Sequence, residues 1–416
     1  MAKRITVVTA GHLSTCPRML KAADAFAEAG YEVRMISTRH VEWATKTDEE
    51  VRRSRTWRWT VVDYDRISAR VTYLKTGLRY KAARKLAKFV SPAQLPLHVA
   101  ASGYGRVHSE LLAVALAEPT DLFYGGTTGA LAAVAMAGRR TNTPYALDLE
   151  DFHSAEQDSN PDADLSHALA ERIERDILPG AAFLTTGSAA MAAAYRDKYG
   201  VNPIPIHNTF PLPDRAPDFS RAPGEALRLY WFSQTIGPQR GLEDVIQAAG
   251  LADIAVELHL RGNPVAGYLE SLQRLAADTA PGLRLIHHEP INPDAMVESC
   301  RGYDVGLALE QAHVFNRAVC LTNKAFTYML AGLAVVFTDT PGQRPLALDL
   351  GNAALLYQPG DVAALAAGLK RWAENKELLR AAKVAAWESA KRRWHWQHAE
   401  GRGALLKAVN SRSADL

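Results

Sequence analysis

Between Leu321 and Thr340 the chain reads LTNKAFTYMLAGLAVVFTDT: a turn, an amphipathic helix, a glycine at its end and a buried strand, with Lys324 in the helix's first turn. A cation there opposes the helix dipole, because the free N–H groups of a helix start favour anions; the penalty is roughly a few tenths of a kcal/mol. The position makes sense if an anion sits between the lysine and the helix end; the alternative is a solvated surface lysine. Arg240, in GPQRG, and the carboxylate Glu310 follow other strand-like runs. Two cations and a helix N-terminus on one sheet edge suit a diphosphate, since backbone N–H groups and side-chain cations share its charge. A second constellation, LDLEDFHSAE, packs Asp148, Glu150, Asp151, His153 and Glu156 after another buried run. A carboxylate there, Asp151 or Glu150 first and His153 third, can deprotonate an incoming hydroxyl or orient it. The alternative is a cap cluster for the next helix. Gly11, His12 and Arg18 lie in and just after the first turn, TAGHLSTCPR, where the alternative is ordinary surface polarity.

Parallel sheets must position these groups. Apolar runs alternate with helical patterns from RITVVTA onward, through YEVRMIST, DLFYGG, PYALDLED, AAFLTTGS and PIPIHNT, which is the arithmetic of βαβ units. FPLPDRAPDFSRAPGE then breaks the pattern as a linker. The alternation restarts in LRLYWFS, AVELHLRG, LRLIHHEP, DVGLALE, AVVFTD and AALLYQ, and the chain ends in helices. At 416 residues two domains are expected. The reading is α/β, with two Rossmann-like, doubly wound domains facing across a cleft: residues 1–210, a linker at 211–226, residues 227–390, and a C-terminal helix at 391–416 returning to the first domain. Ligands of such sheets bind at the carboxyl ends of the strands. Those ends carry Ser233, Gln234 and Arg240, then Gly262, Pro290 and Ile291, Glu310, and Thr322 to Lys324.

Several classes fit the sequence poorly. A nicotinamide enzyme needs G-x-G-x-x-G and a ribose-binding acid about 20 residues on; the second strand-like run ends instead at Ser37 and Thr38. Cys16, Cys300 and Cys320 are odd in number and far apart, giving neither a disulfide framework nor metal spacing. The start lacks a signal-peptide pattern, and no run reaches the roughly 18 apolar residues of a membrane span, so a cytoplasmic protein is expected, at the inner face of the membrane if it meets one. DYD at Asp63–Asp65 reads as a strand end rather than a metal site. The net charge is +3 and no nucleic-acid partner is expected. The charge is nevertheless uneven: Arg66 to Ser109 holds no acid but has Arg66, Arg70, Lys75, Arg79, Lys81, Arg84, Lys85, Lys88 and Arg106, with Leu74, Leu78, Leu86 and Phe89 at helical spacing. That pattern reads as an anionic-membrane surface or as a helix whose apolar stripe joins the core.

GPQRGLEDVIQAA, LHLRGNP, HHEPINPDAMVESCRGYDVGLAL and NKAFTYMLAGLAVVFTDTPGQ, in that order, resemble the donor-domain motifs of GT-B fold glycosyltransferases of the large, mostly retaining group 1 (family 4). TCPRMLKAADAFAEAGYEVRMIS and PIPIHNTFPLPD, with Asn208, are similar to that family's first domain. The resemblance implies a nucleotide-diphosphate-sugar donor as substrate, no cofactor, no metal, and a glycan, glycolipid or lipid-linked acceptor in polysaccharide or glycolipid assembly. It puts Arg240 on the donor diphosphate, Gly262 after the next strand, the main chain of Glu289 to Ile291 at the base, and Thr322, Asn323 and Lys324 at the diphosphate and sugar, with the acceptor beside Gly11, His12 and Arg18. The family's paired glutamates are replaced by Val319 and Thr327, and an arginine before the diphosphate cation by Gln234. A sugar-nucleotide epimerase or a non-catalytic GT-B subunit are the alternative functions.

Overall fold

The computed structural model describes residues 2–220 and 224–413, so residues 221–223 of the expected linker and 414–416 of the expected last helix lie outside the description. The chain divides into one unit of Met1–Ile206 with Arg402–Leu416 and a second of His207–Gly401.

The first unit's sheet comprises β1 (Arg4–Thr9), β2 (Glu32–Arg39), β3 (Arg58–Asp63), β4 (Leu122–Gly126), β5 (Tyr145–Leu149), β6 (Leu184–Thr186) and β7 (Ile204–Pro205). These pair in the order β3-β2-β1-β4-β5-β6-β7, all parallel. The second unit's sheet comprises β8 (Leu227–Ile236), β9 (Val256–Pro264), β10 (Leu283–His288), β11 (Val305–Ala308), β12 (Ala334–Thr338) and β13 (Ala354–Tyr357). Its order is β10-β9-β8-β11-β12-β13, again all parallel. Central strands covered by helices on both faces are apolar along their length, and every residue of β4, β5, β11 and β12 is buried. The expected pair of parallel α/β sheets is therefore present. In each sheet the strand order reverses once, between β1 and β4 and between β8 and β11, and the crevice at such a switch point is where doubly wound sheets bind ligands.

Alternation along β8 shows how one strand serves two layers. Leu227, Leu229 and Trp231 join a core with the Leu242–Ala252 helix, while Tyr230 and Phe232 join another with the Asn323–Leu330 helix. The segment after β7 belongs to the second unit because its aromatic groups pack there: the His207 ring lies 5.3 Å from Trp394 and 5.7 Å from Phe326, and the Trp396 N–H donates to the Phe210 carbonyl at 2.8 Å. The C-terminal Ala404–Ser413 helix returns to the first unit, where the Tyr31 hydroxyl donates to Asn410 at 2.6 Å and Arg402 pairs with Glu28 at 3.1 Å.

Gly262, within β9, has φ of +144°, and a Cβ there would lie 2.2 Å from the Ser233 carbonyl oxygen. Both the torsion and the approach require glycine. Gly262→Ala is expected to lower stability by roughly 2 kcal/mol or more, read as a lower urea midpoint; an unchanged midpoint would mean that this approach relaxes freely.

Candidate active site

In the second unit β8 leads into the loop carrying Arg240. Gly241 has φ of +71°, and a Cβ on it would lie 2.5 Å from the Gln311 side-chain amide and 3.0 Å from Leu309 Cβ, so this loop rests directly on the chain leaving β11. There stands Glu310, only 5% exposed. Lys324 Nζ donates to its Oε1 at 2.8 Å and Arg317 to its Oε2 at 2.8 Å. Its own carbonyl accepts from Thr338 Oγ1 at 2.6 Å, and Gln343 Nε2 donates to that Thr338 hydroxyl at 2.8 Å. Burial would raise the Glu310 carboxyl, but Lys324 first, then Arg317, overcome it and hold it down at about 2.

Lys324 is therefore not a solvated surface group. It is 7% exposed, and its Nζ also lies 5.9 Å from the Trp231 ring centroid. Arg240 differs. Half-buried, with its guanidinium lowered by burial and then by Arg317, it makes no hydrogen bond or ion pair among the described residues. An arginine stays charged in proteins, so its donors remain available. Three cations around one carboxylate leave the group net positive. Beside it the Asn323–Leu330 helix begins at Thr322 with no side-chain cap and no acid in its first turn. The Thr322 hydroxyl is buried without a partner among the described residues.

The other expected donor residues are more dispersed. Ser233 is partly buried and Gln234 exposed; Pro290 is exposed and Ile291 partly buried, just past β10. Arg261 Nη1 anchors that turn by donating to the Glu289 carbonyl at 2.6 Å. Thr327 is fully buried, its hydroxyl donating to the Asn323 carbonyl at 2.9 Å, and Val319 is buried too. Neither offers a carboxylate to a ribose.

In the first unit Arg18 and Asp148 form a buried fork: Nε donates at 3.1 and 3.0 Å to the two carboxylate oxygens and Nη2 at 2.8 Å to Oδ1, while Nη1 reaches the Ile206 carbonyl at 2.7 Å. Arg18 thus ties β5 and β7 to the first helix. His12 is 2% exposed: its Nε2 accepts the N–H groups of His40 and Val41 at 3.2 and 3.1 Å, so Nδ1 carries the proton given to Asp48 at 2.7 Å. Gly11, partly buried, receives the Thr38 N–H on its carbonyl at 3.1 Å. Both His12 and Arg18 are committed to holding the loop.

Past β5, Glu150 is partly exposed, and burial followed by the Asp151 charge pushes its carboxyl up to about 7. His153 is 2% exposed. Burial would lower it, but its hydrogen bond to Glu156 at 3.3 Å and the charges of Glu156, Glu174 and Asp151 raise it to about 9. Its Nε2 has no partner among the described residues. Asn160, not the acidic cluster, caps the following helix by accepting the N–H groups of Asp162 and Ala163 at 3.1 and 3.0 Å. Asp63 and Asp65 cap the turn after β3, Asp65 accepting from the Ile67 and Ser68 N–H groups. Among the described residues no cluster of His, Cys, Asp or Glu could hold a metal ion, and no helix is long and apolar enough to cross a membrane.

Arg317 and Glu174 were not singled out from the sequence. Glu174, buried in the Pro161–Ile177 helix, accepts from the Tyr195 and Tyr199 hydroxyls at 2.8 and 2.6 Å. An acid on an apolar helix face was its only signal.

Residues 17–209 match a family model described as a glycosyl transferase 4-like domain. The first unit carries a glycosyltransferase domain. The full chain overlays HepE of Anabaena, solved with UDP, at 15% identity and a TM-score of 0.64, covering 100% of each chain. It overlays sucrose-phosphate synthase of Thermosynechococcus elongatus at 13% identity and 0.69, again over 100% of each. TarM of S. aureus, a variant solved with fondaparinux, alpha-GlcNAc-glycerol and UDP, gives 9% identity and 0.65, covering 98% of this chain and 99% of its own. No curated protein matches in sequence. The likeness to the family model covers residues 17–209, and the chain as a whole shares the two-unit fold of these solved structures.

Because the folded-state value of Glu310 lies below its usual 4.5, its contribution to stability is full above that value and is lost as pH falls toward about 2. The whole contribution is on the order of 3 kcal/mol. Urea midpoints at pH 6, 4 and 3 should fall for the wild type, and Glu310→Gln should be less stable at pH 6 but flatter across this window. An equal acid dependence in both proteins would assign it to other carboxylates.

Proposed function

We propose that this glycosyltransferase moves a sugar from a nucleoside-diphosphate sugar to an acceptor hydroxyl. The observation that carries the reading is the unpaired, half-buried Arg240 beside the Lys324–Glu310–Arg317 cluster and an uncapped helix start. In the reaction the bond between the anomeric carbon and the diphosphate oxygen breaks while a bond to the acceptor oxygen forms. Negative charge grows on the departing diphosphate, and preorganised donors aimed at that charge are the strongest means of lowering the barrier. Arg240 supplies free N–H groups directly. Lys324 gives one N–H to Glu310 and has two more for a phosphate. These cations take the place of a metal ion.

The acceptor side is assigned to Glu150 and Asp151, with His153 beside them and Gly11, His12 and Arg18 shaping the loop. A carboxyl near 7 is suited to accept the acceptor's proton at neutral pH. UDP is the first nucleotide to test, because the HepE and TarM structures hold it. We assign retention of anomeric configuration, with the acceptor oxygen attacking on the face that the diphosphate leaves and its proton passing to Glu150, a glycan, glycolipid or lipid-linked acceptor, and action in polysaccharide or glycolipid assembly at the cytoplasmic side of a membrane. Replacement of the paired glutamates by Val319 and Thr327 favours, as a second reading, a non-catalytic binding subunit, to which nucleotide-sugar binding without turnover would point; an epimerase of the same architecture is separated by product analysis with the acceptor omitted.

Arg240→Ala is expected to lower kcat/KM by about 100-fold or more with the urea midpoint unchanged, and wild-type turnover should survive EDTA. Near-normal turnover of Arg240→Ala would remove the diphosphate role; loss with EDTA and rescue by magnesium would restore a metal to the mechanism.

With Glu150 as base, the rate should climb with pH through about 7 and, if the His153 cation is needed, fall through about 9. Glu150→Gln should abolish the rising limb in a pH–rate profile; a retained limb would give the base role to another group.

A further inference from the structure

The Arg70–Phe89 helix presents its largest apolar side chains to solvent. Val71 is 81% exposed, Leu74 60%, Leu78 73% and Phe89 80%, and Ile67 just before the helix is 87% exposed. At 100° per residue, Val71, Leu74, Leu78 and Phe89 fall on one side, opposite the buried Thr76, Ala83 and Ala87. Single exposed apolar residues are ordinary, whereas a contiguous set marks an interaction surface. Leu251, Val265 and Leu348 are of the first kind, each in a separate segment of the chain.

Charge on this helix is sorted in the same way. Arg79 pairs with Glu110; Arg84 is buried and bonded to Asp162 at 2.7 Å and Ser166 at 3.0 Å; Arg106 reaches Thr76 at 3.1 Å and lies over the Tyr73 ring. These are internal. Arg66, Arg70, Lys75, Lys81, Lys85 and Lys88 are exposed and make no ion pair among the described residues. No acid interrupts residues 66 to 109.

We propose that the outward face of this helix docks on an anionic lipid bilayer, lying in its plane with Ile67, Val71, Leu74, Leu78 and Phe89 among the acyl chains and the lysines at the headgroups. A helix of this length covers about 30 Å of surface. Only a bilayer satisfies both halves of the face. A second copy related by twofold symmetry would set lysines against lysines, and a soluble polyanion would leave the apolar side chains in water. The helix starts at the carboxyl end of β3, the sheet edge that also carries Glu150 past β5. Docking would thus bring that edge to a membrane-bound acceptor, a consequence that rests on the proposed function, although lipid binding itself does not.

The test is flotation of the full chain with vesicles of phosphatidylcholine alone or mixed with phosphatidylglycerol, at low and high salt. Two variants accompany it, one with Leu74→Ser and Leu78→Ser, one with Lys81→Ser, Lys85→Ser and Lys88→Ser. All five positions are exposed, so both variants should keep the wild-type urea midpoint. Wild type should float only with anionic vesicles and less at high salt. The lysine variant should lose roughly fivefold in partitioning per lysine removed, and the leucine variant at least about tenfold. No binding by the wild type, or equal binding by all three proteins, overturns the proposal. Salt-sensitive binding that the leucine variant retains would assign the face to soluble polyanions; a leucine-dependent dimer without vesicle binding would assign it to a second copy, and either overturns it. Transfer to a water-soluble acceptor without vesicles, measured alongside, should be equal in all three proteins. Its absence would count against the transferase reading alone.

Discussion

Taking a carboxylate out of water costs several kcal/mol unless cations and hydrogen bonds replace the lost solvation. The second unit does this with Glu310, at the end of β11 beside the switch point of the sheet, and much of the local arrangement follows. Lys324 and Arg317 each give the carboxylate a bond of 2.8 Å. The repulsion between a lysine and a helix start is smaller by roughly an order of magnitude, so pairing decides where the lysine stands. The anion that explains Lys324 is thus, in the first place, one of the protein's own. Arg240 makes no hydrogen bond or ion pair among the described residues, so its donors are unspent there, and its loop is pressed against the same segment by Gly241. A site with one fixed pair and one free arginine is both positioned and unsaturated, which a ligand-binding site needs.

The first unit repeats the strategy with the sign reversed. Arg18 is the buried cation, and Asp148, the Ile206 carbonyl and the Tyr124 hydroxyl, 3.2 Å from the Asp148 carboxylate, complete its surroundings. Removing one partner of such a pair strands the other, at a cost of about 3–5 kcal/mol. Glu150 and His153, the groups proposed for the acceptor side, sit just beyond this pair; burial and then Asp151 raise the first, and Glu156, Glu174 and Asp151 raise the second. His153 keeps Glu156 on one nitrogen and, among the described residues, nothing on the other. The committed residues and the available ones are therefore different residues, adjacent in the chain.

Strands were legible in the sequence because fully buried parallel strands leave long apolar runs, and helix starts at Gly241, Gly267 and Asn323 because glycine and turn residues punctuate those runs. Site residues were legible as positions at strand ends but not as partners. Arg18 and Asp148 meet across 130 residues of chain, and no local pattern encodes that meeting. Lys324 and Glu310 were both visible, yet whether the lysine faced solvent, a ligand or the glutamate depended on how the helix sits on β11. Arg317 and Glu174 were hidden for the same reason.

The helix following β3 shows why apolar periodicity alone leaves direction open. Leu74, Leu78, Leu86 and Phe89 at helical spacing suggested a core stripe as readily as an outer one, and the deciding residues are the small ones between them. A Cβ added to Gly103 would lie 3.5 Å from Ala83 Cβ, so the Leu97–Tyr104 helix approaches this one closely along its Thr76, Ala83 and Ala87 side. A leucine on that side would force the two helices apart. The large residues point outward, where each forgoes part of the roughly 1.5–3 kcal/mol that full burial would give. Their exposed part adds nothing to the stability of the isolated unit, and its burial becomes favourable when a water-excluding surface covers it.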